Sequence, residues 1–264
     1  GSPFIGVDNL ANYFVAMNHA MGSDIYHYDE SGTMVPDLDE GIIEKLFLNY
    51  YEPFTKGYYG AKGRYRSDDV KQSYLAGCIG SSSSVLYFPE EVADSQGNMV
   101  PVTTGVYQYP VMEGTTPTAI QQGAGVAVFN RSDEENRAAL DFIRWLTIDK
   151  GFELAASMSY MPVDHNGMTE EQKQQIDDAR VLKGIETGLK QSNSYQMVYG
   201  FDFENSYDVR TGVDACFGEA LSQGRMEFEE YLARGMSMDE AAASMDYGSK
   251  AEAFYEQVKA IFEE

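Results

Sequence analysis

The stretch Gln121-Gln-Gly-Ala-Gly-Val-Ala-Val-Phe-Asn-Arg-Ser132, continued by Ala138-Ala-Leu-Asp-Phe-Ile-Arg-Trp-Leu-Thr147, decides the class of fold. Its first half is glycine-led and apolar from Gly125 to Phe129, which reads as a short buried strand. Ser132 with Glu135 then makes a capping-box pair, and Ala138, Ala139, Phe142, Ile143 and Leu146 recur at helical spacing. Strand followed by amphipathic helix indicates an α/β chain.

Working outward, the same start signals recur. Asp37 with Glu40 opens a helix carrying Ile42, Ile43, Leu46, Phe47, Tyr50, Tyr51 and Phe54. Thr169 with Gln172 opens one through Ile176, Ala179, Leu182 and Ile185. Ser237 with Glu240 and Ser249 with Glu252 start two more, and Ser67 caps a helix that Gly77 ends. Strand signals are fewer. Asp29-Glu-Ser-Gly-Thr33 has hairpin turn chemistry, Cys78 to Val85 follows the Ser67 helix, and Met99 to Tyr109 reads as one or two strands. The sum is a helix-rich α/β fold without internal repeats.

Composition narrows the function classes. Among 264 residues, 42 acidic against 19 basic side chains give a net charge of −23, which opposes both phosphate backbones and anionic bilayers, so no nucleic acid is expected as partner. With 43% hydrophobic and 13% aromatic residues the chain has ample core material and needs no structural metal or disulfide. Cys78 and Cys216 lie in no metal-type spacing and read as two buried thiols, with a single disulfide as the alternative. The longest apolar run, Gly123 to Phe129, is far below the roughly 20 residues of a membrane span. Gly1-Ser2 resembles a cloning remnant, so the lack of a signal segment carries no information on compartment.

The candidate chemistry is binding rather than catalysis. His19, His27 and His165 form no ligand-type spacing, so no metal site is expected. The run Gly80-Ser-Ser-Ser-Ser84 has no evident His or acid partner for a hydrolytic triad. Gly123-Ala-Gly125 fails as a dinucleotide fingerprint because Val128 stands at the third glycine and the glycines precede the strand. What the serines offer is hydroxyls and N–H groups for a polar ligand, or else a solvated turn. Nineteen tyrosines provide faces for sugar rings, although most belong to core and rim. Arg210 suits an anion anchor or a surface ion pair. Abundant acids leave a glycoside hydrolase as a remote alternative, since paired carboxylates at a defined separation are not visible in sequence.

The order of segments resembles the extracellular solute-binding proteins of bacterial ABC importers, in the group of maltose-binding and glycerol-3-phosphate-binding proteins. The resemblance runs through Tyr28-Asp-Glu-Ser-Gly-Thr33, the Val70 to Ser84 passage and the Met99 to Pro117 stretch. Gln121 to Ser132, Ala138 to Thr147 and Ser159-Tyr-Met-Pro-Val163 follow, where Ser159 replaces a common Gly. Ser206-Tyr-Asp-Val-Arg210 and Gly235-Met-Ser-Met-Asp-Glu-Ala241 complete it. It covers most of this chain but only the later part of a family member. The resemblance implies the second lobe of a two-lobed type II periplasmic-binding-protein-like fold. Residues 3–120 form its α/β core, 121–162 return to pack into the first lobe, and 163–264 supply C-terminal helices.

The function so implied is non-enzymatic: capture of a sugar or oligosaccharide for an ABC permease in the membrane, with glycerol-3-phosphate or a glycerophosphodiester as the alternative ligand. No cofactor is implied. Carried over by position, Ser81, Ser82 and Ser83 touch ligand through hydroxyls, Gly123 and Gly125 line the cleft through backbone, and Tyr160 is the loop aromatic. The family's sugar-stacking aromatic position falls on Tyr207 or Ser206, and Arg210 falls on the arginine that pairs with phosphate in the alternative. The protein is expected outside the cytoplasm, periplasmic or as a cell-surface lipoprotein, with the missing half carrying the signal and part of the site. Without its first-lobe neighbours, the 121–162 segment is expected to expose apolar surface that favours a dimer.

Overall fold

The computed structural model describes residues 3–94, 96–162 and 167–263. In chain order the elements begin with β1 (Ile5–Val7), α1 (Leu10–Met21), β2 (Ile25–Tyr28), β3 (Met34–Asp37), α2 (Glu40–Thr55), α3 (Arg66–Lys71) and β4 (Gly77–Ile79). A 3-10 turn (Ser82–Tyr87), β5 (Glu91–Ala93), β6 (Met99–Pro101) and β7 (Thr118–Ile120) follow. Then come α4 (Asp133–Arg144), which runs into a π-helical stretch (Trp145–Asp149), α5 (Gly151–Met158), α6 (Glu170–Gln174) and α7 (Ala179–Ser194). The chain closes with β8 (Gln196–Val198), α8 (Ser206–Ala233), α9 (Met238–Ser244) and α10 (Tyr247–Glu263). Helix dominates and the sheets are small, which fits a helix-rich α/β chain.

These elements divide into two compact units, 1–80 with 110–121 and 195–264, and 81–109 with 122–194. The division differs from the expected 3–120, 121–162 and 163–264. Residues 81–109 group with 122–194 because the Ser82–Tyr87 turn packs on α7. Residues 195–264 share a core with 1–80 because α8 and α10 pack on α2.

The first unit holds two parallel pairs, β1 with β4 and β7 with β8, and the antiparallel hairpin β2–β3. The expected hairpin turn forms: Asp29 Oδ1 accepts from the N–H of Ser31 and of Thr33, and Gly32 takes φ 80°. α2 buries the expected Ile43, Leu46, Phe47, Tyr50 and Tyr51. Phe47 stacks on Phe254 of α10 at 4.3 Å and on Tyr51 at 4.7 Å, and Phe217 of α8 closes on Phe254 at 4.4 Å. This aromatic stack between three helices is the heart of the core, and truncating such a ring costs about 3–5 kcal/mol. Gly224 of α8 is needed there, since a Cβ would lie 2.1 Å from the Tyr51 hydroxyl.

The second unit has a thin core of Val85, Ala155, Val181 and Ile185, with the hairpin β5–β6 beside it. The expected buried strand Gly125–Phe129 does not form. No strand among the described residues pairs with it, and Val126, Val128 and Phe129 are exposed, Phe129 to 85%. A strand needs a neighbour for its N–H and C=O groups, and here the segment has none. The Met99–Tyr109 strand shortens to Met99–Pro101, with a last ladder bond from the Val102 N–H to the Glu90 carbonyl at 2.9 Å.

Helix boundaries shift where a better cap exists. Asp39, not Asp37, caps α2 by accepting from the Ile42 N–H. Tyr65 rather than Ser67 precedes α3, which ends well short of Gly77. The Thr169 box opens only α6, because Asp178 accepts from the Arg180 N–H and starts a fresh helix. Ser249 lies inside α10, where Asp246 accepts from its N–H. The boxes at Ser132, Thr169 and Ser237 form with both halves bonded. Cys78 is half-buried and Cys216 buried, both free thiols.

Candidate ligand-binding site

In the second unit the serine run enters the turn Ser82–Tyr87. Ser81 caps it, accepting weakly from the Ser83 N–H at 3.4 Å, and its hydroxyl lies 3.0 Å from that of Ser83. The hydroxyls therefore satisfy one another at a water-accessible edge, with no His or carboxylate bonded to them among the described residues. That chemistry suits hydrogen bonding to a polar ligand and supplies no base for a nucleophile.

α7 brings the serine run and the Tyr160 loop together. At Gly184 a Cβ would sit 2.9 Å from Ser159 Oγ, 3.5 Å from Val85 Cγ1 and 4.0 Å from the Ser82 carbonyl oxygen. The absence of a side chain at Gly184 lets both segments rest on one helix face. Ser159 ends α5 in the left-handed region, and the Tyr160 N–H returns to the Ala155 carbonyl at 2.9 Å. Tyr160 is half-buried, one residue beyond the Ser159 that touches α7. Gly123 and Gly125 are not brought to this cluster: they lie in the exposed 122–131 segment, with nothing within 4 Å of their Cβ positions.

Tyr207 and Arg210 lie in the first unit, three residues apart on α8 and so on one face. Tyr207 is 77% exposed and Arg210 half-buried. Arg210 Nη1 reaches to 3.8 Å from the Cβ position of Gly200, which follows the carboxyl end of β8. The acid one turn further, Asp214, is turned elsewhere. Its Oδ1 accepts from the N–H of Leu10 at 2.9 Å and of Ala11 at 3.4 Å, capping the start of α1 together with Asn9. Arg210 is left as the one half-buried arginine without a carboxylate partner among the described residues. The loop before α8 is pinned by Tyr26, whose hydroxyl donates to Asp202 Oδ1 at 2.5 Å, and by Tyr28, which donates to the Asp202 carbonyl at 3.3 Å. Burial and the Asp202 carboxylate push the Tyr26 phenol up.

The structure adds Asp8 and Asn9 at the carboxyl end of β1, where ligands of parallel sheets bind. Asp8 accepts from the Arg66 N–H at 2.7 Å. Burial raises its pKa, partly offset by that N–H and by the Arg66 charge. Beside it, burial pushes the Cys78 thiol up to about 12. The signal for this edge was present in Ile5-Gly-Val-Asp-Asn9, an apolar run broken by two polar residues at a helix start. His165 lies outside the described residues, and among the described residues no cluster of three or more His, Cys, Asp or Glu is placed to hold a metal. No helix among them is long and apolar enough to cross a membrane. In comparisons with family models, curated proteins and solved structures, nothing matches the chain.

Proposed function

We propose that the chain is the later part of a non-enzymatic solute receptor of an ABC importer, acting outside the cytoplasm and delivering a sugar or oligosaccharide to a membrane permease. The observation that carries the reading is the apolar face of 122–158. α4 has no buried residue, although Leu140 and Phe142 lie along it and Trp145 directly follows it, and Val126, Val128 and Phe129 precede it in an unpaired segment. An amphipathic helix and a strand-like run with neither face nor edge covered suit a segment that packs into a further lobe. Within the second unit, the serine turn and the Ser159-Tyr160 loop resting on α7 then supply hydroxyls and a phenol ring for a sugar.

A second reading, glycerol-3-phosphate or its diesters, is favoured by Arg210, whose half-buried guanidinium lacks a counter-carboxylate in a chain of net charge −23. Calorimetric titration of the full-length protein with a mixed oligosaccharide panel, glycerol-3-phosphate and its diesters separates the two. Sugar binding unaffected by Arg210→Ala supports the first, and phosphate-ester binding lost in that variant supports the second. Binding of neither class rejects both.

A further inference from the structure

From Pro53 to Ser67 the chain has no carboxylate, yet it carries Lys56, Lys62, Arg64 and Arg66, four of its 19 cations in eleven residues. The loop they occupy is firmly built. Its start is held by Gly60, whose N–H donates to the Ile5 carbonyl at 3.0 Å. Its tip is held by the fully buried Asp69, which accepts from the N–H of Lys62 at 3.0 Å and of Gly63 at 2.7 Å and pairs with the buried Arg66 at 2.6 Å. Lys56 is matched by Glu52. Lys62 and Arg64 are exposed and without an ion pair among the described residues, although Asp68 stands beside the loop, its Cβ 4.0 Å from the Cβ position of Gly63. Each sits instead over an aromatic ring, Lys62 over Tyr74 at 5.7 Å and Arg64 over Tyr65 at 5.2 Å. Tyr65 is about half exposed, as is Tyr58 at the start of the loop.

We propose that this loop is a docking surface for an acidic polysaccharide, a chain of sugars bearing carboxylates. Charge complementarity selects an anion: two exposed cations without an ion pair outnumber the single carboxylate of Asp68 beside them, and they stand on a buried ion pair that orders the loop before the partner arrives. The net charge of −23 selects a narrow one. A bilayer or an acidic protein presents an extended negative face to the whole acidic surface, whereas a glycan strand one residue wide meets only the loop, with the rest of the molecule screened beyond about 8 Å at physiological salt. The exposed Tyr58 and Tyr65 rings add apolar faces for the sugar rings between the charges.

The test is calorimetric titration of the full chain with a galacturonate hexamer, beside neutral maltohexaose, polyglutamate and phosphatidylglycerol vesicles. Binding of the hexamer alone is expected, weakened at least tenfold by Lys62→Ser with Arg64→Ser and by raised salt, and retained in Arg210→Ala. The double variant touches only exposed side chains, so an unchanged melting curve accompanies the loss. The assignment is overturned if the hexamer does not bind, if the double variant binds it as well as the parent, or if polyglutamate or vesicles bind equally. Loss of hexamer binding in Arg210→Ala places it at the solute site instead and equally overturns the loop.

Discussion

Ser159 concentrates two costs in one residue. Its φ of 52° lies where a side chain is disfavoured, and its hydroxyl, fully buried against Gly184, has no hydrogen-bond partner. Ser159→Gly removes both, so the transition of the second unit is expected to gain about 1–2 kcal/mol in urea denaturation. A loss in that experiment would mean that the hydroxyl is solvated in place. Asp214 is the converse case, a side chain that capped α1 from 204 residues away. Asp214→Ala leaves the Leu10 and Ala11 amides bare and is expected to cost about 1–2 kcal/mol by the same measurement. Sequence showed the first residue's peculiarity only as a departure from glycine, and showed nothing of the second, because a cap donated from across the chain has no local signature. Local turn chemistry was legible: the Asp29 to Thr33 hairpin formed as read, and Asp94, Gly97 and Asn98 repeat it before β6, with Asp94 Oδ1 accepting from the N–H of Gln96 and of Asn98.

Among the elements, those with both a start signal and an apolar stripe were legible, as α2 and the capping boxes of α4 and α9 show. Periodicity reveals that a face is apolar, not what covers it, and that is why Gly125–Phe129 read as buried while it lies in the open. The candidate site divided on the same line. The turn carrying Ser82 and the loop residue Ser159 meet at α7, but the glycine of α7 that permits it, Gly184, carried no signal of its own. The uncovered face gives a direct expectation. Replacing Phe142 and Trp145 by Ser should abolish binding of an apolar fluorescent dye and reduce any dimer seen by light scattering, while leaving the melting temperature of the chain unchanged, because neither ring is buried in it. A drop in melting temperature would show that the face is already packed.

For the molecule as a whole, alkaline pH is the sensitive direction. Burial pushes the Cys78 thiol to about 12, Cys216 to about 11 and the Tyr50 phenol to about 12, and raises Tyr13 and Tyr51 also. The unfolded chain releases these protons from about pH 9 for thiols and 10 for phenols. Between those values and the folded ones the unfolded chain holds fewer protons, so stability is full below about pH 9 and falls as pH rises towards 12. Urea midpoints followed from pH 7 to 11.5, with phenolate absorbance alongside, should show the fall and a phenolate jump at unfolding. Stability level across that range would contradict the burial of these groups. The bond from Leu10 to Asp214 also sets a schedule for biosynthesis. At about 5–20 residues per second a ribosome needs about 10–40 s to add the 204 residues that separate the two partners. Throughout that interval α1 has emerged with its first amides uncapped and α8 does not yet exist. Any chaperone or translocation pore that meets the growing chain meets it before its first unit is able to close.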